Sequence, residues 1–208
     1  MDRFEKFAEE LKQIAPFNIR YKDESWEMQV LNLFAMPFCP EFLSRFTTVV
    51  GNNIYFPNRS FIRMNPDAAM RTLAHEAVHI LDMDRWTPGF FAGAYLFPQI
   101  LALGVFLFPF LGIWALLFLL FLLPIPAPFR TYFEVRGYAM DVLTVAPHQR
   151  KAVLDQAVAQ FTGWNYYKMF PFESSVRAQI TEWVNKAEKG EAKDLMKILL
   201  IYELVVEE

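Results

Sequence analysis

The alternation of apolar and polar positions divides this chain into two polar, globular-looking portions separated by a long apolar one. In the first portion, Phe4, Phe7, Leu11 and Ile14 recur at helical spacing, which predicts an amphipathic surface helix over residues 2–14. A second helix is expected near 24–34. Phe46–Val50 and Ile54–Phe56 read as short strands, with Gly51-Asn52-Asn53 as the turn between them. Asn65-Pro66-Asp67 is a helix start, since Asn caps, Pro suits the first helical position and Asp complements the positive end of the dipole. The helix it opens is expected to run to about Met83. Beyond the apolar portion, helices are predicted over Arg130–Val145, 149–162, 174–188 and 191–206, with Gly190 separating the last two.

The apolar portion is a block from Trp86 to Phe129. It holds 44 residues without one charge, and Arg85 and Arg130 stand at its borders. A buried core segment of a globular protein rarely runs so long, so the expected environment is a lipid bilayer, the alternative being burial in a larger assembly. A single helix of that length would measure about 66 Å, against about 30 Å for a hydrocarbon core. Pro109 and Gly112 lie near its midpoint, where a turn would fall. The expectation is therefore a hairpin with arms at Phe90–Phe108 and Ile113–Leu123, inserted fully or only in part. Pro98 would kink the first arm, and Pro124-Ile-Pro-Ala-Pro128 would make a stiff return.

Composition narrows the function. A net charge of −3 with no polybasic run argues against a nucleic-acid partner. The single cysteine, Cys39, excludes an internal disulfide and a cysteine-based metal site, and it reads as a small buried hydrophobe. The first residues, MDRFEKFAEELKQIA, are charged and lack the apolar core of a signal peptide. With Arg85 and Arg130 both beside the apolar block, the polar portions are expected on the cytoplasmic side of a membrane.

The candidate chemistry lies in Thr72-Leu-Ala-His75-Glu76-Ala-Val-His79-Ile-Leu-Asp82, where two of the chain's three histidines form HExxH inside the well-started helix. Histidines at i and i+4 project from one face, so both imidazoles can meet one ion at about 2.0–2.1 Å. Glu76 then sits where it can take a proton from a water activated by that ion. A catalytic zinc site needs a third protein ligand. Glu134 is the candidate, on a helix and in an apolar, aromatic setting where an unpaired carboxylate would be costly. His148 follows Pro147 in an expected turn and is the weaker choice.

HExxH on one helix with a glutamate ligand on a later one resembles the gluzincin metallopeptidases. A hydrophobic excursion between those two helices resembles their integral-membrane HtpX and CAAX prenyl protease group. The resemblance covers about residues 46–145. It implies an α+β, mostly helical fold, with a zincin-like core interrupted by a hydrophobic helical hairpin. It implies zinc as cofactor, hydrolysis of peptide bonds in a protein or peptide substrate, and Glu76 as general base. Residues 1–85 would carry the HExxH part of the core, 86–129 the membrane-inserting hairpin, and 130–208 the third ligand. That family places an aspartate four residues after the glutamate ligand, to orient the first histidine. This chain has Tyr138 there, so Asp141 or Asp82 is expected to take over that role. An oxyanion stabiliser is not fixed by the pattern, and Tyr138, Arg136, His148, Tyr166 and Tyr167 are the candidates. The rival expectation is a structural zinc site in a non-enzymatic protein, or in one that anchors in or permeabilises membranes.

Overall fold

Asp2 opens the first helix with a reciprocal cap. Its carboxylate accepts from the Glu5 amide at 2.7 Å, and Glu5 accepts from the Asp2 amide at 3.3 Å, which satisfies two donors that a first turn leaves open. The computed structural model describes residues 2–36, 41–44, 46–163, 168 and 170–207. Cys39, Tyr166 and Tyr167 lie outside the described residues. Helix α1 (Arg3–Lys12) buries Phe4, Phe7, Ala8 and Leu11, the inward stripe that the spacing predicts.

A small mixed sheet follows. Strand β3 (Asn53–Phe56) is central, flanked by β1 (Asn18–Tyr21) in parallel and by β2 (Thr48–Val50) antiparallel. The β2–β3 turn reverses at Gly51, whose φ of +55° suits glycine. Helix α2 (Trp26–Ala35) lies between β1 and β2 in the chain. Four-residue β1 escapes the sequence pattern. Its burial alternates only between exposed and half-buried, so no apolar face marks it.

Two helices form the centre. After the short α3 (Arg59–Met64), α4 (Pro66–Trp86) starts on Pro, whose missing N–H costs nothing there, and has Asp67 in its first turn and Arg85 in its last, both favourable to the helix dipole. It packs against α1 and α7 (Pro128–Leu143), and against α10 (Lys193–Glu207). Helix α7 packs in turn against α8 (Arg150–Thr162) and α9 (Glu173–Glu188). Both α4 and α7 are therefore covered on several sides, and the residues they turn toward each other are withdrawn from water.

Between α4 and α7 the apolar block starts as α5 (Pro88–Leu96), which lies on both of those helices. It continues as a 3₁₀ arm (Gln99–Leu107), one helical turn α6 (Phe108–Leu111) and a second 3₁₀ arm (Gly112–Leu122). The run Gln99–Leu122 is long and apolar enough to cross a membrane, with a mean hydropathy of 2.7. Within it the chain reverses. Gly112 has φ +56°, and a Cβ added to Gly104 would fall into the ring of Phe118 on the other arm. Almost all of the hairpin's side chains face outward, Phe106 and Phe110 being 76% and 85% exposed. At about 2.0 Å rise per residue the 9- and 11-residue arms measure about 18 and 22 Å.

Candidate metal centre

Helix α4 presents His75 and His79 one turn apart, and α7 brings Glu134 to both. His75 Nε2 lies 3.7 Å from Glu134 Oε2, and His79 Nε2 lies 3.8 Å from Glu134 Oε1. One ligand atom from each of the three residues falls within 4.8 Å of the others, a group able to hold a metal ion. Neighbouring ligands of a tetrahedral ion with bonds of about 2.0–2.1 Å stand about 3.3 Å apart. Adjustments of about half an ångström would bring Glu134 to ligand spacing from each imidazole.

The polar atoms of this group are under-satisfied. His79 Nδ1 and Glu134 Oε2 are buried without a hydrogen-bond partner among the described residues. Buried polar atoms are rarely left so, and a cation between the three side chains would give Glu134 Oε2 its partner. Electrostatics favour the ligating forms of two of them. Burial pushes His79 down to about 4, so its imidazole is neutral and carries a free lone pair. Burial works to raise Glu134, but the two histidines and Tyr95 outweigh it and hold the carboxyl at about 2. Burial likewise opposes a charge on His75, yet Asp141, Glu134 and Glu76 raise it well above the ordinary value. A bound cation would take the place of that proton.

Asp141 accepts from His75 Nδ1 at 2.9 Å, leaving Nε2 to face Glu134. That contact suits the orienting role expected of an aspartate, from one turn further along α7 than the family pattern places it. Asp82 does not share that role. It is paired with Arg136 at 3.0–3.1 Å, and Arg136 also bonds Asp194 and lies over the Trp183 ring. Both Asp82 and Arg136 are 1% exposed, and this ion cluster engages the guanidinium away from the histidines. Arg136 therefore fits a structural role better than an oxyanion one. Tyr138 sets its ring edge-on against His75, centroids 5.1 Å apart, while its hydroxyl donates to Gln160 at 2.6 Å. His148 is exposed in the turn between α7 and α8, with no contact to the three ligands.

No family model, curated protein or solved structure matches the chain. The geometry alone carries the argument.

Three features escape the sequence reading. Gly137 lies against His75 so closely that a Cβ there would stand 2.5 Å from Nε2. Tyr95, on α5, donates its hydroxyl to Glu134 Oε1, and Arg130 Nε donates to the Tyr95 carbonyl at 2.9 Å. Phe91, one turn earlier, tilts toward His79 with centroids 6.3 Å apart. The first helix of the apolar block is thereby a wall of the candidate metal centre. Tyr95 is the only tyrosine in that block, a signal available in the sequence. Glu76 is half-buried and makes no hydrogen bond among the described residues. Burial, supplemented by Glu134 and Asp141 against the effect of His75, raises it to about 7. A cleft of about 570 Å³ opens beside Thr72, Tyr138 and Asp141 and is lined further by Gln156 and Gln160.

Proposed function

We propose that this chain is a membrane-associated zinc peptidase of gluzincin type, with His75, His79 and Glu134 as ligands and Glu76 as general base. The observation that carries the reading is the convergence of the two HExxH imidazoles and Glu134 within 4.8 Å, although Glu134 lies 55 positions beyond His79. The donor set of two neutral-capable imidazoles and one carboxylate suits zinc, and it leaves room for a fourth position. When bound, that ion supplies Lewis acidity for the attacking water and the scissile carbonyl.

The chain's own residues would then divide the work. Glu76, poised near neutrality, accepts the proton of the attacking water and hands it to the departing amine as the peptide C–N bond breaks. Asp141 holds His75 with Nε2 turned toward the ion, and Tyr95 fixes one oxygen of Glu134. Strand β2 is at the sheet edge and packs near α4, so an extended substrate could add to it as a further strand. A structural zinc site does not require a titratable carboxylate in the position of Glu76, which favours catalysis over the rival reading.

The outward-facing Phe and Leu side chains of the hairpin support insertion into lipid. Arms of about 18 and 22 Å fall short of a hydrocarbon core of about 30 Å, so the hairpin dips into one leaflet in this reading. Both ligand-bearing helices then stay on one side, the cytoplasmic side if the flanking arginines set orientation. The test is hydrolysis of unfolded casein by the purified chain in detergent. Activity lost to a chelator and restored by zinc is expected. Hydrolysis indifferent to the chelator would refute the proposal.

A further inference from the structure

A second cleft has no part in the metal chemistry. It measures about 920 Å³ and lies between the end of α4, the end of α9 and the start of α10. Five cationic side chains line it, Arg85, Arg136, Lys186, Lys193 and Lys197, against the two carboxylates of Glu191 and Asp194. The chain as a whole carries −3, so this positive concentration is local and opposite in sign to the molecule.

The charges in the cleft are unequally compensated. Arg136 and Asp194 bond each other, and Lys186 is paired with Glu182 at 2.5 Å. Arg85, Lys193 and Lys197 have no ion pair among the described residues. Lys193 and Lys197 stand one turn apart on α10, on the face turned to the cleft. A second observation is independent of these lysines. Arg136, 1% exposed, keeps Nη1 buried with no hydrogen-bond partner among the described residues, although its other nitrogens serve Asp82 and Asp194. An unmet guanidinium donor at a cleft wall is half of a charge-assisted hydrogen bond. The positive end of the 15-residue α10 opens at the same place.

We infer that this cleft binds a phosphomonoester, held by Lys193 and Lys197 at the start of α10, by Arg85 at the end of α4 and by the unpartnered Nη1 of Arg136. A dianion answers several unpaired cations at once, which a single carboxylate does not. Arg85 is the last charged residue before the apolar block, so a phosphate at the membrane surface and a phosphate in solution can both reach the cleft. The site is separate from the metal ligands and does not depend on the peptidase reading.

The test uses the full chain and the Lys193→Ala/Lys197→Ala variant. Both lysines are exposed, so unchanged melting and zinc content should accompany the substitution. Inorganic phosphate is titrated calorimetrically against each protein in detergent. Flotation is then measured with vesicles of phosphatidylcholine alone, with phosphatidic acid, or with phosphatidylserine. Saturable phosphate binding, or flotation enhanced by phosphatidic acid over phosphatidylserine, is expected, and the double variant should lose about tenfold in affinity. Enhancement by phosphatidic acid identifies a lipid phosphate, and response to inorganic phosphate alone identifies a soluble one. The inference is overturned if inorganic phosphate does not bind and phosphatidylserine serves as well as phosphatidic acid, or if the variant binds as tightly as wild type.

Discussion

Gly137 lies against the imidazole of His75, with room for no side chain between them: a Cβ on Gly137 would meet Nε2 at 2.5 Å. Glycine inside a helix is less favourable than alanine by about 1 kcal/mol, so its presence on α7 is explained by this close approach. The atom it would strike is the one facing Glu134.

Gly137→Ala should therefore keep α7 and displace the first histidine. The expected result is a zinc affinity lower by roughly 10–100-fold, the range for losing a supporting contact around a ligand. Competition with a chromophoric chelator measures it. Wild-type affinity in this variant would show that His75 does not ligate through Nε2.

The two aspartates near the histidines should separate in function. Asp141→Asn weakens the hold on His75 Nδ1, and zinc affinity should fall, again by roughly 10–100-fold. Asp82→Asn leaves Arg136 buried with one anionic partner fewer, so the protein should lose stability, by up to about 3–5 kcal/mol, with zinc affinity preserved. Thermal unfolding in detergent, paired with chelator competition, reads both effects. The reverse pattern would exchange the roles assigned to the two residues.

The contrast between these aspartates also marks how far the sequence was legible. HExxH and the buried helix around it stand out because the two histidines share a face at fixed spacing. Glu134 stands out through its apolar neighbours, since a carboxylate there needs a partner. Asp141 and Asp82 were equally good choices on spacing, and only the packing of α4 on α7 separates them. Arg136 reaches Asp82 and Asp194 across 54 and 58 positions, a relationship no local pattern encodes. Tyr95 was hidden because an aromatic in an apolar block reads as lipid-facing, and Gly137 because a helix glycine reads as a weakness. In the fold, β1 and α3 are short and weakly patterned. The reversal near Pro109 and Gly112 was anticipated, whereas the 3₁₀ winding of both arms was not, since uniform apolar runs carry no helical period to distinguish 3₁₀ from α.

The hairpin's placement yields a topological prediction. Trp86 and Phe129 are the first and last residues of the apolar block and are 42% and 48% exposed, whereas neighbouring Thr131 is buried and unsuitable for a reporter. Cysteines at these two exposed positions, in a Cys39→Ser background, should react with a membrane-impermeant reagent from the same side of sealed vesicles. Opposite sides would be incompatible with one ion shared by His79 and Glu134. Deleting only residues 99–123 spares Tyr95 and Phe91, so that variant should leave the membrane and still bind zinc.

The most direct measurement of the central claim is peptide hydrolysis by Glu76→Gln compared with wild type at matched zinc content. The substitution keeps the shape of the side chain and removes its ability to take a proton. Zinc bound at one ion per chain in both proteins is expected, with turnover in the variant reduced by about 10²–10⁴-fold. Equal turnover at equal zinc would contradict the account, because the base would then lie elsewhere and the HExxH helix would be a metal-binding element only.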